Sequence, residues 1–174
     1  MSKPVKHSAI SILLLGVFLT SVGLSPPSRA VRAESYYREG LAYETEGRLE
    51  LAEQRLKAAL KFNPDMTDAH LALGATYLKM ERLNLAEGHT LRAIGLLPRT
   101  SVRSSAYRGT LSMAYNNLGA ISAKRSVRAL ADDAQMAAAG YWQRSQSYYL
   151  AALEIDRENL IAHQNLQQSL TLVD

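Results

Sequence analysis

The sequence of 174 residues has no cysteine, and only five prolines, two phenylalanines and one tryptophan. Without cysteine there is no disulfide framework, thiolate metal centre or cysteine nucleophile. A Gly-x-Ser-x-Gly elbow, a Gly-rich phosphate loop and a His-Glu-x-x-His pair are also missing, so the motifs of common hydrolases, nucleotide enzymes and zinc peptidases are not there. No acidic residue precedes Glu34, whereas Lys3, Lys6, Arg29 and Arg32 do. The formal charge of +4 therefore belongs to the segment before Glu34, and the chain from Glu34 onward balances 16 basic against 16 acidic groups. What remains is a neutral body, 47% apolar over the whole chain, with room for one domain.

Residues 1–33 fall into a basic start, an apolar run from Ala9 to Thr20, and a small-residue segment holding Pro26 and Pro27. This is the layout of a secretory signal peptide, with small-x-small cleavage sites after Ala30 and after Ala33. The uncharged stretch extends over Ser8–Leu24, 17 residues, which is the lower limit for crossing a bilayer at about 1.5 Å per residue. An uncleaved anchor is thus the alternative to cleavage, and it would associate the protein with a membrane. Both readings place the body outside the cytoplasm, as a periplasmic, secreted or anchored protein.

The body repeats at one fixed offset: Gly40 and Gly74, Tyr43 and Tyr77, Ala52 and Ala86, Ala59 and Ala93, Pro64 and Pro98. Glycine inside a helix costs about 1 kcal/mol relative to alanine, so Gly40 and Gly74 at matched places imply close approach of two helices, with Ala52 and Ala86 as the small facing surface. Proline ends the second helix of each unit. Each unit reads as a helical hairpin. The pattern of aromatic, Leu-Gly, Tyr, Ala, large apolar residue and Pro resembles the tetratricopeptide repeat (TPR).

The resemblance implies an all-α fold, a right-handed solenoid of three hairpins with a capping helix. The units are 34–66, 67–100, 101–158 and the cap 159–174. The third unit begins with Tyr115, Leu118 and Gly119. Between Gly119 and Ala152 it exceeds the regular repeat, as seen from Gly40 to Ala59, by about 14 residues. The excess predicts a long first helix near Ser105–Arg125, a turn around Ser126–Asp132, and a second helix near Asp133–Ile155 capped by Asp132 or Asp133. That hairpin would project beyond the solenoid edge; a loop interrupted at Gly140 is the other reading.

Candidate chemistry is sparse. His70 and His163 stand at the aromatic place of the pattern and read as packed rings, Asp132-Asp133 as a helix cap, and Tyr148-Tyr149 as core. No metal or cofactor is implied and no catalytic residue is assigned. Over residues 88–131 there is no carboxylate, while Arg92, Arg99, Arg103, Arg108, Lys124, Arg125 and Arg128 give +7. This band either pairs with acidic neighbours or binds an anionic polymer or membrane surface. Nucleic acid is excluded as a partner by export and by the lack of interleaved aromatics.

TPR proteins generally hold a peptide or partner helix in the concave surface of their first helices. Carried onto this chain, the groove would be lined by Tyr37, Leu41, Glu44, Asp68, Leu71, Ala75, Leu78, Asn116, Asn117 and Lys124. The lysines and asparagines with which one TPR subgroup clamps a C-terminal carboxylate are replaced by Tyr37, Leu41 and Ala72. The expected function is a non-catalytic protein-binding scaffold, similar to bacterial envelope-assembly adaptors, for a peptide with a basic end.

Overall fold

A computed structural model describes residues 27–98 and 104–171. Within them the chain forms seven helices and no strand: α1 (Arg29–Thr45), α2 (Leu49–Phe62), α3 (Thr67–Lys79), α4 (Leu83–Leu96), α5 (Ser105–Ala131), α6 (Gln135–Ile155) and α7 (Leu160–Thr171). They pack as the hairpins α1–α2, α3–α4 and α5–α6, each stacked on the next, with α7 closing the last. The first helices α1, α3, α5 and α7 also touch in succession, so they form one layer. The apolar run of 8–24 and both basic residues Arg99 and Arg103 lie outside the described residues. Ser28 caps α1 through its hydroxyl, and Ala33 in the first turns is 1% exposed.

Each hairpin closes where its glycine meets the opposite helix. A Cβ on Gly40 would lie 2.7 Å from the Leu56 side chain, and one on Gly119 would lie 2.5 Å from the Tyr149 ring. On Gly74 it would collide with the Thr90 hydroxyl and sit 3.3 Å from the Ala86 carbonyl. The opposing residue is thus Leu56, Thr90 or Tyr149, four places beyond the alanine expected from sequence in the first two units. Around these contacts the core is fully buried Leu56, Leu73, Tyr77 and Ile121.

The three hairpin turns are copies of one geometry. Gly47 has φ 75°, Glu81 φ 60° and Asp133 φ 59°. The residue after each donates its N–H to a carbonyl five residues back, Arg48 to Tyr43, Arg82 to Tyr77 and Ala134 to Ala129, at 2.8–2.9 Å. The turn in the third hairpin is Asp132–Ala134, later than the Ser126–Asp132 segment expected. Neither aspartate caps α6: Ala134 stands at the cap, without a side-chain hydrogen bond, and Asp133 instead occupies the left-handed position.

Aligning the turns shows how the excess length is absorbed. Gly40 and Gly74 precede their left-handed residues by seven places, while Gly119 precedes Asp133 by fourteen. On the other side, Gly47 and Glu81 precede Ala52 and Ala86 by five, whereas Asp133 precedes the equivalent Ser145 by twelve. One heptad has been added to each helix, close to two turns, so both helices keep the same faces toward each other. Residues 126–140 are helical apart from the turn. Ser126 repeats the glycine place one heptad later and its hydroxyl donates to the Ala138 carbonyl at 2.8 Å.

Ser145 replaces the alanine of the other units, and its buried hydroxyl makes no hydrogen bond. An unsatisfied buried hydroxyl costs about 1–3 kcal/mol. Ser145→Ala is therefore expected to raise Tm by thermal melting, by about 1 kcal/mol in stability. Two glycines should respond with opposite signs. Gly119→Ala forces Tyr149 aside and should cost about 1–3 kcal/mol. Gly140→Ala meets nothing within 4 Å in a helix and should gain about 0.5–1 kcal/mol in the same assay.

Candidate peptide groove

The layer of first helices encloses an open concavity of about 530 Å³. From α1 it receives Tyr37, Leu41 and Glu44, and from α3 Asp68, Leu71, Ala72, Ala75, Leu78 and Lys79. α5 contributes Met113, Asn116, Asn117 and Ala120, and α7 adds Ile161 and Asn165, with Asn159 just before it. The spacing explains the convergence: positions three and four apart share a helix face, so 37, 41 and 44 line up, as do 68, 71, 75 and 78. Every groove residue expected from sequence lies here except Lys124, which is one turn further along α5 and ion-pairs with Glu81.

Leu71 has two roles. It is 8% exposed and packs with Ala93 and Ala114, so it belongs to the core as well as to the groove wall. Asn159, Ile161 and Asn165 were missed by sequence reasoning because 159–174 reads as a cap. The signal that would have found them is the reuse of first-helix spacing at His163 and Leu166.

The floor is apolar, and the polarity is arranged at its ends. At one end the Tyr37 hydroxyl is pushed up from its ordinary value by burial and by the negative charges of Asp68, Glu34 and Glu44. Glu34 pairs with Arg38 at 2.7 Å and Glu44 with Lys79 at 2.8 Å. Asp68 is exposed and has no ion-pair partner among the described residues. At the other end the Asn165 amide donates to Asn116 Oδ1 at 2.9 Å and the Asn159 amide to the Ser112 hydroxyl at 2.8 Å. These bonds fix α7 against α5. The Asn117 side chain makes no hydrogen bond with the described residues, so its amide offers one acceptor and two donors to the groove.

Among the described residues of the basic band, four of the five cations are ion-paired. Arg92 pairs with Asp65 at 2.6 Å, Arg125 with Glu87 at 2.7 Å, and Arg128 and Lys124 share Glu81. Arg108 is exposed and unpaired among the described residues. No three His, Asp or Glu side chains gather among the described residues in a way that could hold a metal ion. No described helix is long and apolar enough to cross a membrane.

Comparison with known proteins agrees with this geometry. Residues 33–66 match the tetratricopeptide repeat family model. The match spans one repeat unit of this chain. The fold is that of a TPR solenoid: the first TPR of Spaghetti (RPAP3), bound to the HSP90 peptide SRMEEVD, superposes with a TM-score of 0.59 at 16% identity, covering 83% of this chain and 94% of that one. The Arabidopsis OM64 TPR domain gives 0.60 at 15% identity, covering 82% and 97%. Curated proteins gave no match.

The TPR pattern also accounts for the histidines. His70 Nε2–H donates to the Pro64 carbonyl at 3.0 Å, and His163 Nε2–H to the Arg157 carbonyl at 2.9 Å, in both cases six residues back. Ring and hydrogen bond together tie the first helix to the turn before it. With its Nε2 so used, neutral His70 accepts at Nδ1 from His89 Nδ1–H at 3.0 Å. Tyr77 packs beside His89 and donates its hydroxyl to Glu53 at 2.9 Å.

Burial, reinforced by His70 and Lys57, pushes His89 below its ordinary value of 6.5. A depressed histidine gives the unfolded chain the greater proton affinity, so stability is full above pH 6.5 and falls as the pH drops below it. Tm should decline between pH 7 and 5. In His89→Gln, measured over the same range, that slope should flatten.

Proposed function

We propose that this protein is a non-catalytic adaptor that holds an extended peptide, with a basic residue at one end, in the concave TPR groove. The observation that carries the reading is the convergence of four helices on one trough with an apolar floor, an acidic end at Tyr37 and Asp68, and the uncommitted Asn117 amide. A preformed trough loses little entropy on binding, so ordering costs fall mainly on the incoming segment. The peptide SRMEEVD in the structural neighbour is acidic towards its C-terminus. Asp68 and its neighbours give this groove the opposite preference, consistent with the absence of the clamp residues.

The working compartment we propose is the cell envelope, reached by export through residues 1–33. The burial of Ala33 favours a cut after Ala30 over one after Ala33, because the later cut removes a core residue. N-terminal sequencing of the mature protein decides between cleavage there and a retained anchor.

Groove binding is tested by photo-crosslinking from a probe at Ala75, which lines the trough without being fully buried, and from a control probe at Lys57 on α2. A peptide or protein captured from position 75 and not from 57 is the expected outcome. Ala75→Arg should weaken capture at least tenfold with the helical circular-dichroism signal unchanged; undiminished capture would refute the reading.

A further inference from the structure

The groove does not end at the solenoid edge. Beyond Asn117 the lining face of α5 continues through Ala120, Lys124, Val127 and Leu130, at helical spacings of three and four. Two further hollows follow it. One of about 290 Å³ is bounded by Ala120, Lys124, Val127, Trp142 and Asn165. The next, about 350 Å³, is bounded by Val127, Leu130, Ala138 and Trp142. Ala120 and Asn165 belong to both the main concavity and the first hollow, while Val127 and Trp142 belong to both hollows. The three hollows therefore adjoin one another along α5.

α7 borders the first hollow through Asn165, Gln168 and Ser169 but contributes nothing to the last. There Val127 and Leu130 are 60% and 57% exposed beside the Trp142 ring, an apolar socket not covered by any described helix. Charge gives the trough a direction. Asp68 is an uncompensated carboxylate at the α1–α3 end, whereas at the projecting end Glu81 faces two cations, Lys124 and Arg128. Of these, Lys124 borders the first hollow, so a ligand laid the other way round would bring its basic residue toward that cation.

On the peptide-binding reading above, we infer that the added heptads of α5 and α6 extend the binding track, and that the ligand is an extended segment with a basic residue at Tyr37–Asp68 and a large apolar side chain in the Trp142 socket. From Met113 to Leu130 the track along α5 is about 26 Å at 1.5 Å per residue. An extended chain covers that in about eight residues. The step from Asp68 on α3 to α5, roughly 9 Å, adds about three more, within the reach of a 12-residue segment.

The probes are phage-displayed random 12-residue and 6-residue libraries selected on the full chain. The expected 12-residue consensus has Lys or Arg near one end and Trp, Phe or Leu at least seven places away. A fluorescein-labelled peptide of that consensus should bind Trp142→Ala and Leu130→Glu about tenfold more weakly by fluorescence anisotropy. Its basic half alone should bind wild type and both variants equally. Leu130 is exposed, so Leu130→Glu keeps the test valid if Trp142→Ala does not fold. Unchanged affinity for Leu130→Glu would overturn the extension and leave the groove reading in place. Peptides whose binding survives Ala75→Arg would overturn the groove reading as well, and no enrichment from either library would overturn both.

Discussion

The contact on which the structure depends is the missing side chain at Gly40, Gly74 and Gly119. Each lets the partner helix approach until Leu56, Thr90 or Tyr149 fills the space a Cβ would need. Interiors are packed closely enough that this distance sets the position of everything built on the hairpin. The first helices then stack in one layer, and their outward face becomes a trough because each hairpin presents the same side.

Most of this architecture was legible because it is periodic. The constant offset from Gly40 to Gly74, shared by Tyr, Ala and Pro, fixes the hairpins and their order. The groove residues are those the TPR resemblance implies, and the structure gathers them on one concavity, Lys124 excepted. What escaped was local. The sequence gives no signal for the true third turn because helix-favouring alanines run through residues 129–139 without a glycine or proline to end α5. Asp133 occupies the left-handed position that Gly47 fills in the first hairpin. Aspartate reads equally well as a cap, and only the backbone angle distinguishes the two roles.

The polar groups were harder to read for a related reason. Their partners are distant in sequence: Asn165 reaches Asn116, Arg125 reaches Glu87, and Lys124 reaches Glu81. A run of seven cations without a carboxylate looks like a surface field when only neighbours along the chain are counted. Stacked hairpins set the acids of one unit beside the bases of the next, so Arg92, Lys124, Arg125 and Arg128 sit in local pairs. The nearness of His70 and His89 likewise depends on helix packing between α3 and α4 rather than on any motif.

The paired heptads of the third hairpin have a consequence for how such a molecule changes over time. One residue added to a single helix would turn its far end by about 100° and bury the wrong face. Seven added to both helices restore the facing almost completely, so hairpin length is quantised. Reach can then be lengthened or shortened by whole steps while the core below Gly119 stays as it is.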